Sequence, residues 1–315
     1  CAASRYARND TACILEKVLL DLGAYIRHAK FVLSYKKVVL LGWSGGGSLA
    51  LMYQSQAENP NIRHTPAGDP VNIVGANLIP ADAVIFQAAH ISRAQLLLDI
   101  IDPSVVDELD PDNRDPRLDI YNPKNPNQPP YSNDFIAEYR DAQLRRVRRI
   151  TTWVKYKLSE LRAAGGAEVE RGFITHRTLA DPRFLDIGLD PNDRAARWCY
   201  LGNPERVDNG PVGLARFSTL RAWMSQWSID DTNGDGRHCV QRFKAPLLVI
   251  ENSADDAVPQ PHSQIIFKAA VSPDKQFAKI DGATHYYAAQ PNQLQQVTAL
   301  VRNWLTERAL IEPAR

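Results

Sequence analysis

The chain has 315 residues, 44% of them hydrophobic and 23% charged, with 37 Lys and Arg against 36 Asp and Glu. That balance leaves no net field to gather nucleic acid or an anionic membrane, and no apolar run approaches the ~20 residues that span a bilayer. Composition therefore excludes a disordered or fibrous chain and allows either one large domain or a core carrying an insertion.

Residues 11–30 place Ile14, Leu15, Val18, Leu19, Leu22, Tyr25 and Ile26 at helical spacing, with Asn9, Asp10 and Thr11 available as caps. Residues 37–41 read as a short strand stopped by Gly42, and helical periodicity resumes over 48–57. Further strands are predicted over 83–88, 247–251 and 276–280, with a closing helix over 292–305. Strands alternating with helices imply a mostly parallel, doubly wound sheet covered on both faces. The stretch between the second and third strands is far longer than a crossover requires. The predicted organisation is a core in two parts, 1–91 and 241–315, split by an insertion over 92–240.

Within the insertion, seven of the 21 prolines fall between Pro103 and Pro130, which predicts an ordered loop. Helices are predicted over 135–161 and 216–229. The aromatics Tyr131, Phe135, Trp153, Trp198, Tyr200, Phe217, Trp223 and Trp227 are expected mostly to form the insertion's own core. The basic run of Arg140, Arg145, Arg146, Arg148, Arg149, Lys155 and Lys157 reads as a solvated helix face, with an anion site for a carboxylated substrate as the alternative. Residues 231–236 mimic a calcium loop, but its twelfth position is Arg242, so a polar turn is predicted. The cysteines Cys1, Cys13, Cys199 and Cys239 have no C-x-x-C spacing, which argues against zinc. Free thiols in a cytoplasmic protein are the preferred reading, with a Cys199–Cys239 disulfide as the alternative.

Gly42-Trp43-Ser44-Gly45-Gly46 is a G-x-S-x-G motif between a predicted strand and a predicted helix. A sharp turn there thrusts Ser44 Oγ clear of the backbone, at the positive end of the following helix. Gly42 and Gly46 are expected because side chains at either place would collide with strand and helix. The motif in this context resembles the α/β-hydrolase superfamily, whose members keep the order nucleophile, acid, histidine. By that resemblance, residues 246–259 hold the acid, and alignment on Val258-Pro259 selects Asp255 over Asp256. Asp256 is left facing solvent or capping the next helix, and Asn252 departs from the family's usual glycine. Gly282-Ala283-Thr284-His285 resembles the family's histidine loop. His28, His64, His176, His238 and His262 are read as structural or exposed, while His90 and Trp43 are candidates to line the substrate pocket.

The resemblance implies a serine hydrolase of a small-molecule carboxylic ester, with the insertion as a lid that would suit a bulky apolar or aromatic acyl group, acting through an acyl-enzyme on Ser44 with His285 as base and Asp255 as its acid. Gly45 N–H would be one oxyanion donor, and neither metal nor cofactor is implied. Hydrolysis of an amide, a lactone or a carbon–carbon bond would use the same triad, and a non-catalytic ligand-binding relative is the rival from another class. In the family pattern, residues 4–6 stand where the fourth strand ends, so the first strands and the second oxyanion donor would precede Cys1. An upstream fragment of the same precursor is therefore expected to complete the sheet. Proteolytic processing is preferred to an autoprocessed Cys1 nucleophile as the origin of that first residue.

Overall fold

The computed structural model describes residues 11–190 and 193–311. In chain order it forms α1 (Leu15–Phe31), β1 (Val39–Ser44), α2 (Gly45–Glu58), β2 (Ala83–Ala89), α3 (Arg93–Ile100), α4 (Asn133–Ala164), β3 (Gly172–Ile174), α5 (Pro204–Asn209), β4 (Phe217–Thr219), α6 (Leu220–Gln226), α7 (Gly236–Cys239), β5 (Leu247–Asn252), α8 (His262–Ala269), β6 (Lys275–Ile280) and α9 (Pro291–Glu307). The predicted residues Asn9 and Asp10 and the segment 4–6 lie outside the described residues, as does Cys1.

The four core strands pair in the order β1-β2-β5-β6, every pair parallel. Both β2 and β5 are buried along their whole length, because alternate side chains face two separate cores. Val84, Phe86, Leu247 and Val249 pack with α1, α2 and α8 on one face. Ala83, Ile85, Leu248 and Ile250 pack with Val297 and Trp304 of α9 on the other. This is the fully covered parallel sheet that continuous apolar strands require. Among the described residues β1 pairs only with β2, and Leu41 on it is 53% exposed.

The first helix starts four residues later than predicted, and Thr11 does not cap it. Ile14 occupies the N-cap without a side-chain bond, and the buried Leu15 N–H donates instead to Ser225 Oγ at 2.9 Å. Ser225 Oγ in turn donates to Glu16 at 2.7 Å, and Asn233 Nδ2 donates to the other Glu16 oxygen at 2.9 Å. A cap supplied from 210 positions away leaves no local signature. Through these bonds, residues 220–240 of the predicted insertion are fastened to the core helices.

The helix predicted over 216–229 is also corrected. Phe217–Thr219 instead pairs antiparallel with β3, and α6 starts only where Thr219 Oγ1 accepts from Ala222 N. The long helix α4 is capped by Ser132 and stopped at Gly165, whose φ of 59° needs no Cβ. Its basic run is not a merely solvated face. Arg140 pairs with Asp181, Arg145 with Asp141, Arg148 with Asp230, Lys155 with Asp231 and Lys157 with Glu160. Arg146 is buried, with Glu108 at 2.7 Å. The loop 231–236 is a structural turn whose side chains bind within the protein: Asp231 accepts from Ser228, and Asp235 caps α7. The proline-rich segment is ordered by asparagines that accept from nearby backbone, Asn122 from Lys124 N at 2.9 Å and Asn125 from Asn127 N at 2.8 Å.

Candidate active site

Ser44 ends β1 and N-caps α2 with φ 53° and ψ −125°. A non-glycine residue there stores of order 1–3 kcal/mol of strain and persists only where its surroundings hold it. Two close approaches do the holding. A Cβ on Gly42 would lie 2.5 Å from Gly46 O, and one on Gly47 would lie 2.4 Å from Ala89 Cβ. At Gly46 a Cβ would meet nothing within 4 Å, so the second tight position is Gly47, and the collision expected at Gly46 does not exist. On the neighbouring strand the register slips between Trp43 and Ser44, with Ala88 (φ 44°) as the extra residue of β2. This bulge lets both strands end together beside the elbow.

The carboxyl ends of parallel strands are where such sheets build their sites, and Asp255 and His285 arrive there on the loops after β5 and β6. Asp255 is 1% exposed and its Oδ1 accepts from Ala257 N at 2.9 Å and Val258 N at 2.7 Å. His285 Nδ1 faces both its oxygens, at 3.0 and 3.1 Å. The imidazole is also 1% exposed, whereas Ser44, Gly45 and Gly46 are only half-buried. The Trp43 ring stacks on His285 with centroids 4.7 Å apart, and Trp43 Nε1 donates to His285 O at 3.3 Å. Because Trp43 precedes Ser44, this contact brings His285 against the elbow.

Asn252, where the family pattern has glycine, belongs to a relay across three strand ends. Gln87 Nε2 donates to Tyr287 Oη at 3.0 Å, Tyr287 Oη donates to Asn252 Oδ1 at 2.7 Å, and Asn252 Nδ2 donates to Thr284 O at 2.9 Å. The histidine loop is thereby tied to β2 and β5. Asp256 neither faces solvent nor caps a helix: half-buried, it accepts from His285 N at 3.2 Å, and burial pushes its carboxyl pKa up.

His90 is buried, its Nδ1 makes no hydrogen bond, and burial holds its pKa well below the ordinary imidazole value, so it is neutral at pH 7. His262 is structural: Nδ1 accepts from Ile91 N at 3.2 Å and Nε2 lies 3.2 Å from Asp99. His28, His64 and His238 are exposed. Of the insertion's aromatics, Tyr131, Phe135, Trp223 and Trp227 are buried in its own clusters, and Tyr200 reaches the site, its ring 6.3 Å from that of His285. A cavity of about 630 Å³ between α4 and the β3–β4 pair, lined by Val106, Trp153, Phe173, Ile174 and Phe217, touches none of the three catalytic candidates. Among the described residues no group of His, Cys, Asp and Glu has the arrangement of a metal site. Two further residues were missed from sequence: Tyr287 and Arg93, whose guanidinium lies against Gly45. Arg93 opens α3, four residues past the end of β2.

The chain thus has a parallel sheet with helices on both faces and a strained serine between strand and helix, with Ser44, Asp255 and His285 in that order along it. No protein-family model and no curated protein matches it. Solved structures of similar fold include a monoacylglycerol lipase of Paleococcus ferrophilus, 14% identical with a TM-score of 0.42, covering 94% of this chain and 76% of that one. An α/β-fold hydrolase of Bacillus anthracis str. Sterne is 15% identical with a TM-score of 0.39, covering 94% and 76%. An esterase of Thermogutta terrifontis is 15% identical with a TM-score of 0.38, covering 94% and 73%.

Proposed function

We propose that the protein is a serine hydrolase that cleaves a carboxylic ester through an acyl-enzyme on Ser44. The observation that carries this reading is the double approach of Asp255 to His285 Nδ1, at 3.0 and 3.1 Å, on an imidazole stacked against the residue before Ser44. That pairing leaves Nε2 to take the serine proton as Oγ attacks the carbonyl. The tetrahedral oxyanion is received by Gly45 N–H at the start of α2, where the helix dipole favours negative charge. Collapse expels the alcohol, protonated by His285, and a water deprotonated by the same imidazole releases the acid. Trp43 positions the imidazole, His90 borders the site, and residues 92–240 act as the lid between the core segments 1–91 and 241–315.

Among the described residues β1 pairs only with β2, and Leu41 on it is exposed, which supports a second element of the proposal. Strands from an upstream piece of the same precursor pair along that edge and bring the other oxyanion donor. Cys13, Cys199 and Cys239 are free and buried, in keeping with a cytoplasmic setting, and no helix among the described residues is long and apolar enough to cross a membrane.

A fluorophosphonate probe tests the chemistry. Wild type is expected to be labelled at Ser44, with labelling lost in Ser44→Ala and turnover of p-nitrophenyl esters lowered by orders of magnitude in His285→Ala. A chain that folds, binds ligands and takes no label would instead be the non-catalytic relative, and graded ester, amide and lactone substrates separate the possible bond types.

A further inference from the structure

We infer that the cavity between α4 and the β3–β4 pair is a second ligand site, for a neutral aromatic molecule that carries a hydroxyl or carbonyl group and bonds through it to Thr175. The inference goes beyond the proposed function and does not depend on it.

The cavity measures about 630 Å³, within the range of small-molecule sites. Val106, Leu109, Trp153, Ile174 and Phe217 line it, and all five are exposed. Exposed apolar side chains mean little singly, but a group gathered around one concave space marks a binding surface. The walls are held in place from behind. Phe173 meets Trp153 edge to face, with centroids 5.1 Å apart and planes at 67°, and lies 5.5 Å from the ring of Trp223. Trp223 is buried, and its Nε1 donates to Thr151 Oγ1 of α4 at 2.9 Å. Across the strand pair the Phe217 ring is laid over Gly172, where a Cβ would come within 2.6 Å of the ring's Cζ. Aromatic walls favour an aromatic ligand, because ring-to-ring contact adds to the gain from area burial.

Thr175, the residue after β3, points to the ligand's polar group. It lines the cavity, is 1% exposed, and its Oγ1 makes no hydrogen bond. Its N–H donates to Arg216 O at 2.9 Å, so the hydroxyl and not the backbone is left unsatisfied. A buried hydroxyl without a partner is unfavourable, and a ligand oxygen that reaches it removes the penalty. The lining's Glu108 accepts from Arg146 at 2.7 Å and from Arg149 at 3.1 Å. A charged ligand would compete with these pairs, whereas a neutral one leaves them intact. A buried, unbonded hydroxyl within a concavity suits a small molecule better than the flat contact of a second copy of the chain.

The neutral fluorophore prodan, a naphthalene that bears a ketone and shifts its emission to the blue on leaving water, tests the inference without turnover. It is expected to bind wild type and Ser44→Ala equally, about two- to tenfold more weakly in Thr175→Val, and not at all in Val106→Trp, which fills the cavity's mouth. Neutral β-naphthol should displace it and lose the same factor in Thr175→Val, while naphthalene, which has no polar atom, should bind both proteins alike. The urea midpoint of Thr175→Val should be no lower than that of wild type, because the hydroxyl it removes holds nothing in the free protein. Prodan affinity unchanged in Thr175→Val or in Val106→Trp overturns the inference, as does a fall in that midpoint, which would make the hydroxyl structural. A wild-type dimer in sedimentation that becomes monomeric in Val106→Trp would also overturn it, by assigning the surface to a second copy of the chain.

Discussion

The indole of Trp43 and the imidazole of His285 form a stack across 242 positions of sequence, with centroids 4.7 Å apart and planes inclined by 28°. The stack joins the elbow to the histidine loop, so the two parts of the proposed mechanism share one rigid contact. Trp43→Ala is expected to lower kcat by up to about tenfold, the worth of an aromatic pair, with little change in KM. Trp43→Phe keeps the ring, loses the bond to His285 O, and should fall between. Steady-state kinetics on a neutral ester decides it, and a change confined to KM would assign Trp43 to substrate contact instead.

The Gln87–Tyr287–Asn252–Thr284 relay should show itself in stability. Tyr287→Phe removes a hydroxyl that both accepts and donates, leaving the buried Gln87 and Asn252 side chains each short of a partner. A cost of about 1–3 kcal/mol is expected, read from the urea midpoint. A double variant that also carries Asn252→Gly, the residue the family pattern has there, should lose less than the sum of the two single changes.

Glycines 46 and 47 make opposite predictions. Gly47→Ala drives a methyl to within 2.4 Å of Ala89 Cβ and is expected to destabilise by about 1–3 kcal/mol. Gly46→Ala meets nothing and sits in a helix, so it should be neutral or stabilising by no more than about 1 kcal/mol. Thermal unfolding of the pair tests whether the motif's last glycine is needed for space.

Glu16 predicts a pH dependence. Its carboxyl is fully buried, and that burial, only partly opposed by bonds from Asn233 and Ser225, raises its pKa. The native state therefore holds a proton that the unfolded chain has already released. This contribution to stability is complete below the unfolded carboxyl value and declines as pH rises through the native one. Glu16→Gln should flatten that part of the profile of urea midpoint against pH, and an unchanged slope would place the proton elsewhere.

Much of this molecule was legible before folding. Apolar runs announced β2 and β5 as strands buried on both faces, shorter signals announced β1 and β6, and helical spacing announced α1, α2, α4 and α9, because burial acts on periodicity that the chain itself carries. G-x-S-x-G and the later Asp255 and His285 were visible for the same reason: a tight turn and a fixed order are properties of the chain. What tertiary structure decided is whatever depends on distant neighbours. The start of α1 is set by Ser225, the strand Phe217–Thr219 exists because Gly172–Ile174 lies beside it, and the glycine that needs its missing Cβ is 47 because Ala89 faces it. Arg93 is one charged residue among many along the sequence, and only the fold sets the start of α3 against Gly45 at the start of α2. Local conformation follows from local sequence, but a contact between residues far apart is fixed only when the core closes around both.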